Sequence, residues 1–243
     1  MTDALEDHEG TVSIEGRIII NLRFADDIDD LAGEEEELAK LFERLDKAST
    51  AYGMEISAEK TKLMTNNTRG IEKEIKVNAQ KLETVTSFKY PVSVVSDEGS
   101  KPEILSKTEQ TTAVLTKLKP VWNDRSIFFI FKIRLMRSLV TSIFLYACEL
   151  WTLTAELQRR IRCMEIGAIA RYYTYTNEEA FAKIQHAIGP HEDLLPIVKR
   201  RKLQWYGHVF SSSGLAKTIL QGTVEGGKRE GRQKKRWEDN IRK

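Results

Sequence analysis

Cysteine is scarce in this 243-residue chain. Cys148 and Cys163 stand far apart with no Cys-x-x-Cys, which excludes a disulfide framework and leaves two reduced thiols. His186 and His191 have no nearby partners at metal-ligand spacing, so no structural zinc is expected. A long uninterrupted apolar run is also missing. The most apolar stretch, 127–150, is broken by Lys132, Arg134 and Arg137, so no membrane span is expected. Met1 to Gly10 is polar and acidic, with no apolar leader segment, which points to an intracellular protein of the nucleus or cytoplasm. There is no internal repeat.

Charge, by contrast, is plentiful and unevenly spread. The net charge of +2 conceals an acidic stretch, residues 1–100, at −10, and a basic stretch, residues 101–243, at +12. Acidic groups can hold divalent metal, and a basic half can hold a polyanion such as nucleic acid. Hydrophobic residues at 41% suffice for a packed core.

The pattern predicts an α+β fold with a boundary near residue 100. Thr11 to Phe24 reads as a β-hairpin about Glu15-Gly16, and a second tight turn is expected at Asp26-Asp27. Leu38, Leu41, Phe42, Leu45 and Tyr52 fall at helical spacing, which predicts a helix over 34–52 ended by Gly53. Short strands are expected at 54–57, 73–77 and 81–88, closed by the turn Asp97-Glu98-Gly99-Ser100. Beyond it, helices are expected at 103–119, 127–150, 155–172, 177–188 and 194–206, with Pro120 stopping the first. Residues 222–243 are expected to be a mobile basic tail.

The sharpest motif is Phe24-Ala25-Asp26-Asp27 behind an apolar strand. Adjacent carboxylates in a strand turn supply hard oxygen ligands for magnesium, as two-metal phosphoryl transfer requires. Alone, such a pair is more often a solvated acidic turn, and Asp29, Asp30 and Glu34 to Glu37 follow closely. The surroundings change that balance. Phe24-Ala25-Asp26-Asp27 resembles the Phe/Tyr-Ala-Asp-Asp box of reverse transcriptases, the palm motif called C. Residues Tyr52-Gly53-Met54-Glu55-Ile56-Ser57-Ala58-Glu59-Lys60-Thr61-Lys62 resemble motif D, and Phe88-Lys89-Tyr90 resembles the start of motif E, the primer grip. Later segments, Leu145 to Thr152, Ala187 to Asp193 and Lys202 to Val209, are similar to the same group. Across nearly its whole length the chain resembles the C-terminal part of the reverse transcriptase of a non-LTR, LINE-type retrotransposon, most closely the RTE-like group.

That resemblance implies a partial palm over 1–100, with a small antiparallel sheet plus helices. It further implies an all-α thumb and connector over 101–221, and a basic C-terminal extension over 222–243. It implies Asp26 and Asp27 as catalytic magnesium ligands, Lys60 as the group that protonates leaving pyrophosphate, and Phe88, Lys89 and Tyr90 as primer grip. RNA template and DNA primer would be the partners. On its own residues, Lys60 reads as a surface lysine. Departures accompany the matches. Motif A with its third carboxylate, motif B and the fingers have no counterpart in the 25 residues before Asp26, and Pro91-Val92 stands where the family has Leu-Gly. The chain is also shorter than the family near 171–176. A fragment of an RNA-directed DNA polymerase, inactive alone, is therefore expected.

Two basic segments support an alternative, a non-enzymatic RNA- or DNA-binding module. Lys199, Arg200, Arg201 and Lys202 lead into Trp205, Tyr206 and His208, and residues 228–243 carry a net charge of +5 that includes Arg232, Lys234, Lys235 and Arg236. Cations beside aromatic rings suit phosphate neutralisation with base stacking, favoured here over a solvated helix face. A third possibility is a palm completed by a partner that carries motif A.

Overall fold

The computed structural model describes residues 10–65, 75–77, 80–90, 93–96, 98–170, 192–222 and 235–241. The fold is mixed α+β, and the chain divides into two compact units. The first comprises residues 1–88 and 212–232, the second 89–211 and 233–243.

Unit one begins with two consecutive hairpins. Strand β1 (Ser13–Ile14) pairs antiparallel with β2 (Arg17–Ile18). Glu15 and Gly16 both carry positive φ, 51° and 73°, the backbone sense that lets a two-residue turn follow the twist of its strands. Strand β3 (Asn21–Phe24) then pairs with β4 (Asp27–Asp30), so both predicted turns are present.

Helix α1 (Glu35–Ala51) buries Leu41 and Leu45, with Leu38 and Phe42 packed on a small cluster of Leu63, Ile75 and Leu82. Its acidic first turn has a specific task in Glu37, whose carboxylate accepts the amides of Thr11 at 2.8 Å and Gly33 at 3.1 Å, tying the first hairpin to the helix start. The helix closes with Gly53 at φ 69°, as expected. Met54 donates to the Ser49 carbonyl at 2.9 Å and Gly53 to Thr50 at 3.0 Å, a reciprocal C-terminal lock that needs the left-handed residue. Tyr52, expected on the inner face, is 65% exposed because it sits in the cap where the helical period has already lapsed.

The expected small antiparallel sheet is replaced by separate two-stranded ladders. Residues 54–57 form no strand, because the helix lock turns them directly into the 57–61 bend. The expected strand 81–88 is broken into β7 (Gln80–Lys81), β8 (Glu83–Thr84) and the start of β9 (Ser87–Lys89). Of these, β8 pairs with β5 (Lys62–Leu63), and the pairing is parallel. Strand β6 (Lys76–Val77) pairs with β7. Strands of two to four residues cannot extend a ladder far, which is why alternation alone overstated the sheet. A short helix at Leu215–Gln221 also belongs to unit one. Its following residue, Gly222, lies so close to β1 that a Cβ there would meet Ile14 at 2.1 Å.

In unit two, β10 (Val94–Ser96) has its Val94 amide accepted by the buried Glu103 carboxylate at 2.8 Å. Helix α2 (Lys101–Lys117) and α3 (Lys119–Asn123) follow. Pro120 does not simply stop α2: it sits at the second position of α3, where its missing N–H costs nothing.

The predicted helix 127–150 is shorter and less buried than its apolar content suggested. It runs as α4 (Phe129–Met136), continues through a π-helical turn (Arg137–Thr141) and ends as α5 (Ser142–Phe144). Ala147 at φ 58° then turns the chain into Cys148–Leu150. Ile133, Met136, Val140 and Phe144 face inward, while Phe128 is 82% and Phe131 68% exposed. One face is core and the opposite face, though apolar, is not.

Helix α6 (Ala155–Ala170) turns Leu157, Ile161 and Met164 inward, and α7 (Leu194–Ser211) turns Leu194, Leu195, Val198 and Val209 inward. The buried Glu165 carboxylate accepts the Leu194 amide at 3.0 and 3.1 Å, placing a negative charge at the N-terminus of α7. The core of unit two gathers these residues about Trp151 and Phe144, whose rings meet edge to face at 5.4 Å. The expected helix 177–188 lies outside the described residues. Among the described residues no helix is long and apolar enough to cross a membrane.

Candidate functional site

The Asp-Asp box occupies the tip of the β3–β4 hairpin. Phe24 pairs with Asp27, leaving Ala25 and Asp26 as the two loop residues. Ala25 holds φ 55°, a left-handed conformation that costs an L-residue with a Cβ about 1 kcal/mol. The tight turn projects both carboxylates into water: Asp26 and Asp27 are exposed, and Phe24 beside them is 64% exposed. Two hard oxygen donors on adjacent residues are therefore available to a divalent cation.

Magnesium chemistry of the two-metal type needs more than this. Among the described residues, no group of three His, Cys, Asp or Glu converges to hold a metal ion. With the described residues around them, Asp26 and Asp27 therefore do not make up a complete two-metal centre.

The other residues implied for chemistry lie on separate elements. Lys60 is exposed in the bend that Thr61 closes by donating to the Ser57 carbonyl at 3.0 Å. It precedes β5, whose ladder is distinct from the one that carries the aspartates. Phe88 is half-buried and Lys89 exposed, both in β9. Tyr90 and Ser93 exchange backbone hydrogen bonds of 2.8 and 3.2 Å, and Pro91 and Val92 between them lie outside the described residues.

The basic cluster on α7 divides. Lys199, Arg200 and Arg201 are exposed. Arg200 pairs with Glu192, which stabilises its charged form and raises its pKa. Arg201 donates to the Leu145 carbonyl at 3.0 Å. Lys202 departs from expectation, since it is only 1% exposed and cannot reach a phosphate. The reason is periodic: Leu194, Leu195, Val198 and Val209 define the inward stripe of α7, and position 202 falls on it.

Lys202 is held by what surrounds it. Its ammonium donates to the Trp151 carbonyl and lies 3.8 Å from the centre of the Trp237 ring. Burial drives its pKa down to about 7, opposed by the neighbouring Cys148 sulfur and assisted by Lys235. Burial likewise pushes the Cys148 thiol up to about 11, with Glu149 adding to the rise. Cys148 is thus an inert core residue.

Residues 235–241, expected in the mobile tail, are a docked segment instead. Asn240 accepts the Leu153 amide at 2.7 Å and donates to the Leu153 carbonyl at 2.9 Å. Lys235 donates to the same carbonyl at 2.7 Å, and the Trp237 indole to the Glu149 carbonyl at 2.8 Å. The Trp237 ring meets Trp205 at 5.2 Å and stacks on Tyr206 at 6.2 Å. Basic composition suggested disorder, but a single tryptophan and a single asparagine supply enough specific bonding to overcome it. Of the four tail cations named as nucleic-acid ligands, Lys235 is engaged, Arg236 is exposed, and Arg232 and Lys234 lie outside the described residues.

The chain is similar to a transposon-derived protein. That protein, from Caenorhabditis elegans, is 27% identical over 245 aligned residues, which cover 95% of this chain and 86% of the relative. The likeness runs almost end to end, so it embraces both units. No family model and no solved structure matches it.

Proposed function

We propose that this chain is a fragment of the RNA-directed DNA polymerase of a non-LTR retrotransposon, inactive alone because it lacks the motif A carboxylate and the fingers. One observation carries the reading: Phe24-Ala25-Asp26-Asp27 sits at a hairpin tip with both carboxylates projecting into solvent, in a chain related to a transposon-derived protein. In the intact polymerase, Asp26 and Asp27 would supply two of three metal ligands, and Lys89 and Tyr90 would lie along the primer. Polymerase parts supplied by a partner would complete the centre.

Divalent-ion binding tests the incomplete centre. Two exposed carboxylates without a third should hold manganese or magnesium only weakly, with a Kd above about 10⁻⁴ M, in the range of sites with few charged ligands. Asp26→Asn combined with Asp27→Asn should remove that binding. Manganese broadening of amide resonances near Ala25 reads both. A Kd in the micromolar range would mean that a third ligand reaches the pair, and the proposal of an incomplete centre would fall.

A second reading, nucleic-acid binding without catalysis, is favoured by the +12 charge of residues 101–243 and by the exposure of Lys199, Arg200 and Arg236. Counterion release makes such binding fall steeply with salt. The two readings are compatible, because a polymerase fragment can keep its grip on template after losing its chemistry.

A further inference from the structure

The face of α4 opposite the core is an unusual surface. Phe128 and Phe131 are more exposed than any other large hydrophobic residue in the described chain, at 82% and 68%. Leaving two phenyl rings in water forgoes about 1.5–3 kcal/mol each, so a folded chain gains by hiding them unless they have a partner. The helix has not failed to pack, since Ile133, Met136, Val140 and Phe144 on its other side are buried. At about 100° per residue, Phe131 points roughly 200° away from Ile133, and Arg134 lies beside Phe131 on the next turn. Arg134 is exposed, and so is Arg125 just before the helix.

Charge on this stretch has one sign. From Arg125 to Cys148 there are four cations and no carboxylate. The nearest acid, Asp124, accepts the Ser126 amide at 2.8 Å and the Ser126 hydroxyl at 2.7 Å. Lys132 donates to the carbonyls of Trp122 at 2.8 Å and Asp124 at 2.6 Å, which fixes the loop that presents Arg125 and Phe128.

We propose that Phe128, Phe131, Arg134 and Arg125 form a stacking platform for single-stranded nucleic acid. This rests on the nucleic-acid-binding reading above and assigns it a place. Exposed planar rings flanked by guanidinium groups match unpaired bases joined by phosphates, since each base offers a π-face and each phosphate a negative charge. A duplex hides its base faces within the stack. A second copy of this chain is disfavoured, because a self-complementary contact here would bring cations against cations.

The test is fluorescence anisotropy on the full chain with a labelled 12-nucleotide oligo(U), the corresponding oligo(dT), a duplex of equal length, and vesicles of phosphatidylcholine with phosphatidylserine. Each ring removed, Phe128→Ala or Phe131→Ala, should weaken single-strand binding about 10-fold, with the salt slope unchanged. Phe131→Trp should retain affinity. Arg134→Gln should lower the salt slope by about 0.7, as expected for one phosphate on a single strand. Because these side chains are exposed, the unfolding midpoint should stay put and exclude misfolding as the cause. Single-strand binding that survives loss of both rings would overturn the platform while leaving the nucleic-acid-binding reading intact. Equal ring dependence on the duplex, or ring dependence confined to vesicles, would also overturn it. No binding to any oligonucleotide at low salt would overturn both.

Discussion

Replacing Lys202 with alanine should cost unit two about 2–4 kcal/mol of stability, read as a fall in its urea midpoint. The substitution leaves a cavity in the inward stripe of α7 and strips the Trp151 carbonyl of its buried donor. Lys202→Met isolates the charge, because methionine fills much of the stem volume but cannot donate. The folded pKa of Lys202, about 7, lies below its ordinary value of 10.5. Between those two values the unfolded chain binds the proton and the folded chain does not. Folding therefore releases a proton, and stability rises with pH across that window. The contribution of the neutral amine is complete above 10.5 and is lost as pH falls through 7. The stability of the wild-type chain relative to Lys202→Met should accordingly increase from pH 7 to pH 9, with a slope of up to about 1.4 kcal/mol per pH unit. Cys148 also binds its proton more tightly folded than unfolded, but it is present in both chains and cancels from the comparison. A stability difference flat over this range would show that Lys202 is solvated.

Removing residues 235–243 should be the second large perturbation. The docked segment contributes the indole bond to Glu149, both amide bonds of Asn240 to Leu153 and the Lys235 bond to the Leu153 carbonyl. It also contributes the ring that covers the Lys202 ammonium. A loss of about 3–5 kcal/mol is expected, from several backbone groups deprived of partners together with the area of one tryptophan. Trp237→Ala alone should reproduce more than half of it, and Trp237→Phe should fall between, keeping the cation–ring contact without the donated bond. The diagnostic consequence is linkage. Opening Lys202 to water raises its pKa towards the ordinary value, so truncation should also flatten the pH dependence. Truncation that lowers the midpoint but leaves the pH slope unchanged would separate the segment from Lys202. In that case the packing of Trp237 on Lys202 would contribute little in solution.

How much of this could be read from the residues depends on whether the signal is local. The Glu15-Gly16 turn, the turn at the aspartates and the Gly53 stop are set by a few neighbouring residues and are found where expected. Helices α1, α6 and α7 follow from apolar periodicity, and α+β organisation follows with them. The box at Asp26 and Asp27 was visible as a motif, and its placement at a solvent-exposed tip agrees with a turn of two loop residues. What failed needed long-range information. Among the described residues of 75–88, the strands alternate properly but find partners for only two or three residues each, and nothing local dictates where a partner stops. Apolar content in 127–150 suggests a buried helix, although Phe128 and Phe131 lie opposite the core face. Composition groups Lys202 with its basic neighbours. The 194/195/198/209 stripe already placed it inward, and that period was the signal to follow. The docking of Trp237 and Asn240 depends on the carbonyls of Glu149 and Leu153, more than eighty residues away in sequence, and no local pattern announces it.

Primer extension on the purified chain, with magnesium, an oligonucleotide primer and an RNA template, addresses the polymerase-fragment reading most directly. Two carboxylates at one hairpin tip, with no third acid converging on them among the described residues, predict no template-dependent product beyond that of the Asp26→Ala variant. Template-dependent synthesis that Asp26→Ala abolishes would contradict this, because it would require a third acidic ligand to reach Asp26 and Asp27.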